Sequence, residues 1–269
     1  MTARFAPGTE LTLQQVADLF DHALLKPELT TDDVRSGVAE VAALNAFSVC
    51  VRPSDITLAV EAIAATTAQG AGEGDGQPSR TTVCTVIGFP HGTTSTAAKV
   101  AEAEQAVADG ATELDMVLNI GRLRSGQVDA VREDIAAVVE AGHAHDVPVK
   151  VIFETALLDD AQKEAACRAS AEAGADFVKT STGFAGGGAT LPDVRLMRAN
   201  SPETVQVKAS GGVRDVDTLL AMLAEGVTRI GTSSTSALLA EARERLAAGT
   251  LVVPEPADTL DTPERDSLY

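Results

Sequence analysis

Three stretches, ADGATELDMV (108–117), EAGADFVKTS (172–181) and AEGVTRIGTS (224–233), repeat one pattern: small residues ending a helix, a glycine, then a strand-forming run. The glycine marks the stop, because only a residue without a Cβ adopts a left-handed C-cap at little cost. Five residues after each glycine stand Asp115, Lys179 and Gly231, near the C-terminal end of the strand. The glycines themselves record only the packing of a helix-to-strand unit, which is repeated along the whole chain.

Runs rich in β-branched and apolar residues at 46–51, 82–89, 111–118, 147–153, 175–181, 205–210 and 228–233 give seven strands. Amphipathic segments of helical period at 94–109, 128–141, 159–173, 215–225 and 236–247 alternate with them, with Gly110, Gly142, Gly174 and Gly226 expected at helix ends. An eighth strand is expected around 17–22, after a helical opening from Thr12. Eight strand–helix units over about 250 residues have the size and order of a (β/α)8 TIM barrel with an N-terminal helix. A doubly wound sheet would carry a phosphate-loop glycine fingerprint after its first strand, and none is present.

One catalytic domain over 1–253 is expected, with 254–269, PEPADTLDTPERDSLY, as a flexible acidic tail. The Gly-rich 69–80 reads as a surface insertion. The chain has 269 residues and a formal charge of −18, which disfavours nucleic acid and anionic lipid as partners. It has no basic-then-apolar leader and no run of 18 apolar residues, so neither a signal peptide nor a membrane span is expected. Cys50, Cys84 and Cys167 are far apart with no C-x-x-C pair, which supports neither a disulfide framework nor a thiolate metal site and fits a reducing cytoplasm.

Of six lysines, three lie inside expected strands: Lys150, Lys179 and Lys208. A buried lysine needs a partner or a purpose, since desolvation disfavours its charged form. Asp115 and Glu154 are the strand-borne carboxylates able to pair with them. Three lysines on neighbouring strands point to a site: close ammonium groups repel, one releases its proton, and a nucleophilic amine suited to Schiff-base chemistry results. Asp115 would keep a second lysine charged and move protons. The residues alone do not say which lysine attacks.

KASGGVRD (208–215) and GTSSTS (231–236) place small residues after the seventh and eighth strands and before helices, where barrels hold phosphate; Arg214 adds charge. A metal-dependent aldolase would need convergent histidines. His143 and His145 fall in a helix-to-strand loop on the opposite face, so no metal is expected.

Through DHALLKP (21–27), GFPHG (88–92), ELDMVLN (113–119), VKVIFET (149–155), KTSTGF (179–184), KASGGVR (208–214) and RIGTSS (229–234), the chain resembles the deoxyribose-phosphate aldolases. The resemblance implies reversible cleavage of 2-deoxy-D-ribose 5-phosphate to acetaldehyde and D-glyceraldehyde 3-phosphate, in deoxyribonucleoside catabolism, without a cofactor. It implies Lys179 as the Schiff-base residue, Lys208 as the group tuning it, Asp115 as the proton-transfer carboxylate and Tyr269 as a further proton-transfer aid. Asp21 would orient substrate, and Cys50, Lys150 and Thr180 would stand among the substrate contacts. Gly183, Gly211, Gly212, Val213, Arg214, Gly231, Ser233 and Ser234 would surround the phosphate. Ala23 and Phe184 stand where some relatives have Thr and Lys. A homodimer is the expected assembly. The competing readings are a Schiff-base aldolase for another phosphorylated sugar and a non-catalytic sugar-phosphate-binding barrel.

Overall fold

A computed structural model describes residues 4–68 and 79–256. Its strands are β1 (Phe20–Leu24), β2 (Ser48–Val51), β3 (Thr82–Ile87), β4 (Glu113–Val117), β5 (Val149–Ile152), β6 (Phe177–Lys179), β7 (Gln206–Ser210) and β8 (Arg229–Thr232). Each pairs in parallel with its neighbours, and β8 pairs with β1 through Asp21 and Gly231, closing the ring. The helices are α1 (Leu13–Ala17), α2 (Thr31–Ala43), α3 (Ile56–Ala68), α4 (Thr96–Ala108), α5 (Ile120–Arg124), α6 (Val128–His143), α7 (Asp160–Glu172), α8 (Leu191–Ala199), α9 (Val216–Ala224) and α10 (Thr235–Ala247). The (β/α)8 barrel expected from the repeats is present. No helix among the described residues is long and apolar enough to cross a membrane.

The glycine stops hold at Gly110, Gly174 and Gly226, each with positive φ. Gly142 is different: α6 runs through it to His143. A Cβ there would lie 2.8 Å from the Val147 carbonyl oxygen and from Val149 Cγ2, so this glycine serves close helix-to-strand packing. The first strand begins later than the 17–22 expectation. A capping box between Thr12 and Gln15 starts a helix that runs to Ala17, and the strand pairing of Asp21 with Ser48 and Gly231 fixes β1 at Phe20–Leu24. Periodicity cannot separate these two elements where apolar residues run on without a break.

The apolar core lies between strands and helices, built from Val, Ile, Leu and Ala such as Val49, Val151, Val178 and Val207. The inside of the barrel, usually filled by branched aliphatics, is charged. Asp21, Glu113, Asp115, Lys150, Lys179, Lys208 and Arg229 all point there and are buried. A separate buried pair outside the ring, Lys99 with Asp134 at 2.5 Å, ties α4 to α6; Lys99 also donates to the Val117 carbonyl at 2.8 Å. Beneath the ring, residues 8–11 pair antiparallel with 251–253 through the Glu10–Val252 bridge, so the segments before β1 and after α10 are clasped together.

Candidate active site

Strand alternation explains why these charges meet. Asp115 aligns with Lys150, Ile152 with Lys179, and Lys179 with Lys208, so side chains two residues apart on successive strands enter the same space. Asp115 Oδ1 accepts from Lys150 Nζ at 2.8 Å and from the Cys84 thiol at 3.3 Å. Its Oδ2 accepts from Lys179 Nζ at 2.6 Å and Lys208 Nζ at 2.7 Å.

Lys208 is also held by Asp21 Oδ2 at 2.5 Å. Asp21 Oδ1 takes the Ser48 hydroxyl at 2.7 Å and Arg229 Nη1 at 2.8 Å, and Arg229 bridges on to Glu113 at 3.0 Å. Glu113 in turn holds Lys150 at 2.7 Å. The Arg229 guanidinium stacks 3.5 Å from the centre of the Phe47 ring, which suits its planar, weakly hydrated cation.

Four cations therefore face three carboxylates. Burial pushes the Asp115 carboxyl up, but Lys150, Lys179 and Lys208 outweigh it and hold the carboxyl well below its ordinary value. Burial opposes the charge on Lys208 and on Lys150 as well, yet Asp115 and its neighbouring carboxylates raise both ammonium groups above theirs. Both stay charged. Lys179 differs in its surroundings: it has one carboxylate partner and stands at the strand end facing the barrel mouth, whereas Lys150 lies a layer deeper.

Lys150, expected among the substrate contacts, is paired at that deeper position with Glu113 and Asp115. The hydroxyl of Thr180, also expected among them, accepts from Ser210 N at 3.1 Å and donates to the Ser210 carbonyl at 3.2 Å, stitching β6 to β7. Glu154 forms no ion pair with the lysines; its Oε2 accepts from the Thr182 amide at 3.2 Å and from the Thr182 hydroxyl. Cys50 aligns with Cys84 on the neighbouring strand. Their sulfurs and an Asp115 oxygen lie within 4.8 Å of one another, so strand pairing brings together thiols that sequence spacing had separated. A cation there would have to displace the ammonium groups from Asp115.

The expected phosphate residues gather at the mouth over β6–β8. Gly183, Gly211 and Gly212 have positive φ, Val213 is buried, and Arg214 and Ser233 are exposed. A Cβ on Gly188 would lie 2.5 Å from the Gly211 carbonyl oxygen, so the loops after β6 and β7 touch there. The start of α9 is already capped, by Asp215 on Thr218 N at 2.7 Å and Glu241 on Val216 N at 3.1 Å. The start of α10, at Ser234, has no side-chain cap and leaves amide donors for an anion. His143 bonds Asp176 at 2.8 Å on the far face. Tyr269 lies outside the described residues.

Arg229 and Glu113 were not singled out from sequence, and Glu154 was read only as an ion-pair partner of the lysines. Arg229 and Glu113 sit inside expected strands just as the lysines do, so counting every charge inside a strand, rather than lysines alone, would have found them.

The family model of DeoC/LacD family aldolases matches residues 15–243. A deoxyribose-phosphate aldolase of Rhodospirillum rubrum is 50% identical over 228 residues, covering 85% of this chain and 90% of its own. The crystal structure of a putative deoxyribose-phosphate aldolase from Coccidioides immitis superposes with a TM-score of 0.78 at 36% identity, covering 87% of this chain and 88% of that one. A deoxyribose phosphate aldolase from Aeropyrum pernix, described as a unique tetrameric structure, has a TM-score of 0.74 at 31% identity over 87% and 93%. With the family model spanning most of the barrel and these relatives covering it almost end to end, the chain belongs to the DeoC/LacD family of aldolases.

Proposed function

We propose that this chain reversibly cleaves 2-deoxy-D-ribose 5-phosphate to acetaldehyde and D-glyceraldehyde 3-phosphate through an imine on Lys179. One observation carries the assignment to that lysine: Lys179 and Lys208 share a single oxygen of Asp115, and only Lys208 has a second carboxylate. Loss of a proton from Lys179 breaks one contact and relieves the surplus positive charge, whereas Lys208 and Lys150 are each fixed by two carboxylates at close range.

The neutral amine adds to the sugar's C1 aldehyde, giving a carbinolamine that loses water to the imine. Cleavage of the C2–C3 bond sends its electron pair into the imine as an enamine, while the C3 hydroxyl gives its proton to Asp115, whose Oδ2 no longer holds the Lys179 ammonium, and leaves as the aldehyde of glyceraldehyde 3-phosphate. Protonation of the enamine carbon and hydrolysis return acetaldehyde and the lysine. Asp115, ionised between three ammonium groups, keeps Lys208 charged. The uncapped start of α10 and the loops after β6 and β7 receive the phosphate. Tyr269 completes the reading as a proton-transfer aid at the donor carbon.

The assembly is read as a homo-oligomer, for which the tetrameric Aeropyrum relative is the support. A cytoplasmic setting suits three free, buried thiols. Intact mass after acetaldehyde and borohydride, followed by peptide mapping, tests the central step: an adduct on Lys179 is expected, and one on Lys150 or Lys208 would overturn the assignment.

A further inference from the structure

The run GTSSTS (231–236) between β8 and α10 carries five consecutive hydroxyls, Thr232 to Ser236, and the fold divides them by residue type. Thr232 and Thr235 are buried, whereas Ser233 is exposed and Ser234 and Ser236 are half-buried. The threonines are built into the protein and the serines are left nearer its surface.

Each buried threonine has a definite partner. The Thr232 hydroxyl donates to the Val213 carbonyl at 3.2 Å and accepts from the Ser234 amide at 3.0 Å. One side chain therefore ties the loop after β7 to the residue that opens α10, and these are two of the segments read above as receiving the phosphate. The Thr235 hydroxyl, at the first position of α10, meets His22 Nδ1 at 2.9 Å. His22 comes from β1, where it lies in register with Thr232, and it is buried. Burial lowers the pKa of this imidazole against the raising effect of Glu40, so at pH 7 the ring is neutral and supplies a hydrogen bond rather than a charge. The hydroxyl of the next residue, Ser236, donates to Glu40 on α2.

These contacts fix a part that α10 alone leaves loose. Its first intrahelical bond runs from the Leu238 amide to the Ser234 carbonyl at 3.0 Å, so the amides of Thr235, Ser236 and Ala237 have no acceptor within the helix. Such donors bind an anion well when they already converge on it, because ordering a loop at the moment of binding costs affinity.

We propose that Thr232 and His22 are positioning residues for the sugar phosphate: from behind the site they hold the start of α10 and the loop after β7 at a fixed spacing, and so set the preference for a phosphorylated over an unphosphorylated sugar. The proposal rests on the phosphate site read above and adds the side chains that keep it in shape.

The test is to measure kcat and KM for 2-deoxyribose 5-phosphate and for 2-deoxyribose in wild type, Thr232→Val, Thr232→Ser, His22→Leu and His22→Asn. Valine and leucine fill the space without the hydrogen bonds. KM for the phosphorylated sugar should rise about fivefold or more in both, as for loss of a buried hydrogen bond, while kcat and the KM for 2-deoxyribose stay within about twofold. Serine keeps the hydroxyl and asparagine puts a polar atom where Nδ1 stands, so both should retain the wild-type preference. Equal losses on the two sugars, an unchanged preference in Thr232→Val or His22→Leu, or no rescue by serine or asparagine would overturn the proposal.

If the valine or leucine variant does not fold, alanine at that position is read by the same criteria. Should alanine fail to fold as well, the residue is structural and the proposal falls. A wild type that takes both sugars with equal KM would instead remove the phosphate site itself, and the positioning with it.

Discussion

Lys179 and Lys208 donate to the same atom, Asp115 Oδ2, at 2.6 and 2.7 Å. Two ammonium groups on one oxygen cannot both be fully compensated, and the neighbouring Asp21 favours Lys208. The pair is thereby unequal before any substrate arrives, with one lysine anchored and the other available.

Lys179→Ala should abolish borohydride trapping with acetaldehyde. It leaves three cations against three carboxylates, so circular dichroism should remain that of the native protein. Residual trapping at wild-type rate would place the imine elsewhere.

Lys208→Met removes the neighbouring charge while keeping the side chain's length. Imine trapping with acetaldehyde should slow by about tenfold or more at neutral pH, because Lys179 would then face Asp115 without a competing ammonium group. Wild-type trapping in this variant would show that the shared oxygen plays no part in selecting the nucleophile.

Ser233→Asp places a carboxylate at the rim beside the uncapped start of α10. KM for the phosphorylated sugar should rise by about tenfold or more while that for unphosphorylated 2-deoxyribose barely changes. Equal losses on both would locate the phosphate somewhere else.

Asp21 links the network to stability. Burial pushes its carboxyl up, but Arg229, Lys208 and Lys150 pull it below its ordinary value. A carboxyl depressed in the folded state contributes fully above its unfolded value of about 3.9, and the contribution is lost as pH falls below that. The Tm of the wild type should therefore drop steeply below about pH 4. Asp21→Asn should flatten that dependence and destabilise by about 3–5 kcal/mol at neutral pH, since Arg229 and Lys208 lose a buried partner. Thermal melts across acid pH measure both.

The fold was readable because its signal is periodic: a glycine, a small residue and a β-branched run recur wherever a helix hands over to a strand, and the closed parallel ring follows from the order alone. The three lysines were readable because charge inside a strand is rare. What escaped was set by three-dimensional pairing. Nothing local to Thr180 shows that its hydroxyl stitches β6 to β7, and Lys150 and Lys179 look alike in sequence although their register puts them in different layers. Cys50 and Cys84 read as isolated thiols because 33 intervening residues hide a strand pairing. Glu154 read as an ion-pair partner because its left-handed turn toward Thr182 leaves no trace in residue type.

The clasp between residues 8–11 and 251–253 lies at the N-terminal ends of the strands, since α10 runs back down the barrel before reaching it. The described chain thus ends at the pole opposite the mouth, thirteen residues short of Tyr269. Fully extended they span at most about 45 Å, and the barrel wall is about 20 Å tall, the length of a thirteen-residue helix. The proposed role of Tyr269 at the imine therefore becomes a question of contour length. Closure penalties grow only logarithmically with contour length, about 0.6 kcal/mol per doubling, while a chain too short to arrive fails outright. Inserting residues before Tyr269 should therefore slow deuterium exchange into acetaldehyde by no more than about threefold, whereas removing eight should reduce it to the level of Tyr269→Phe. If Tyr269 acts as proposed, added length costs the reaction little and lost length ends it.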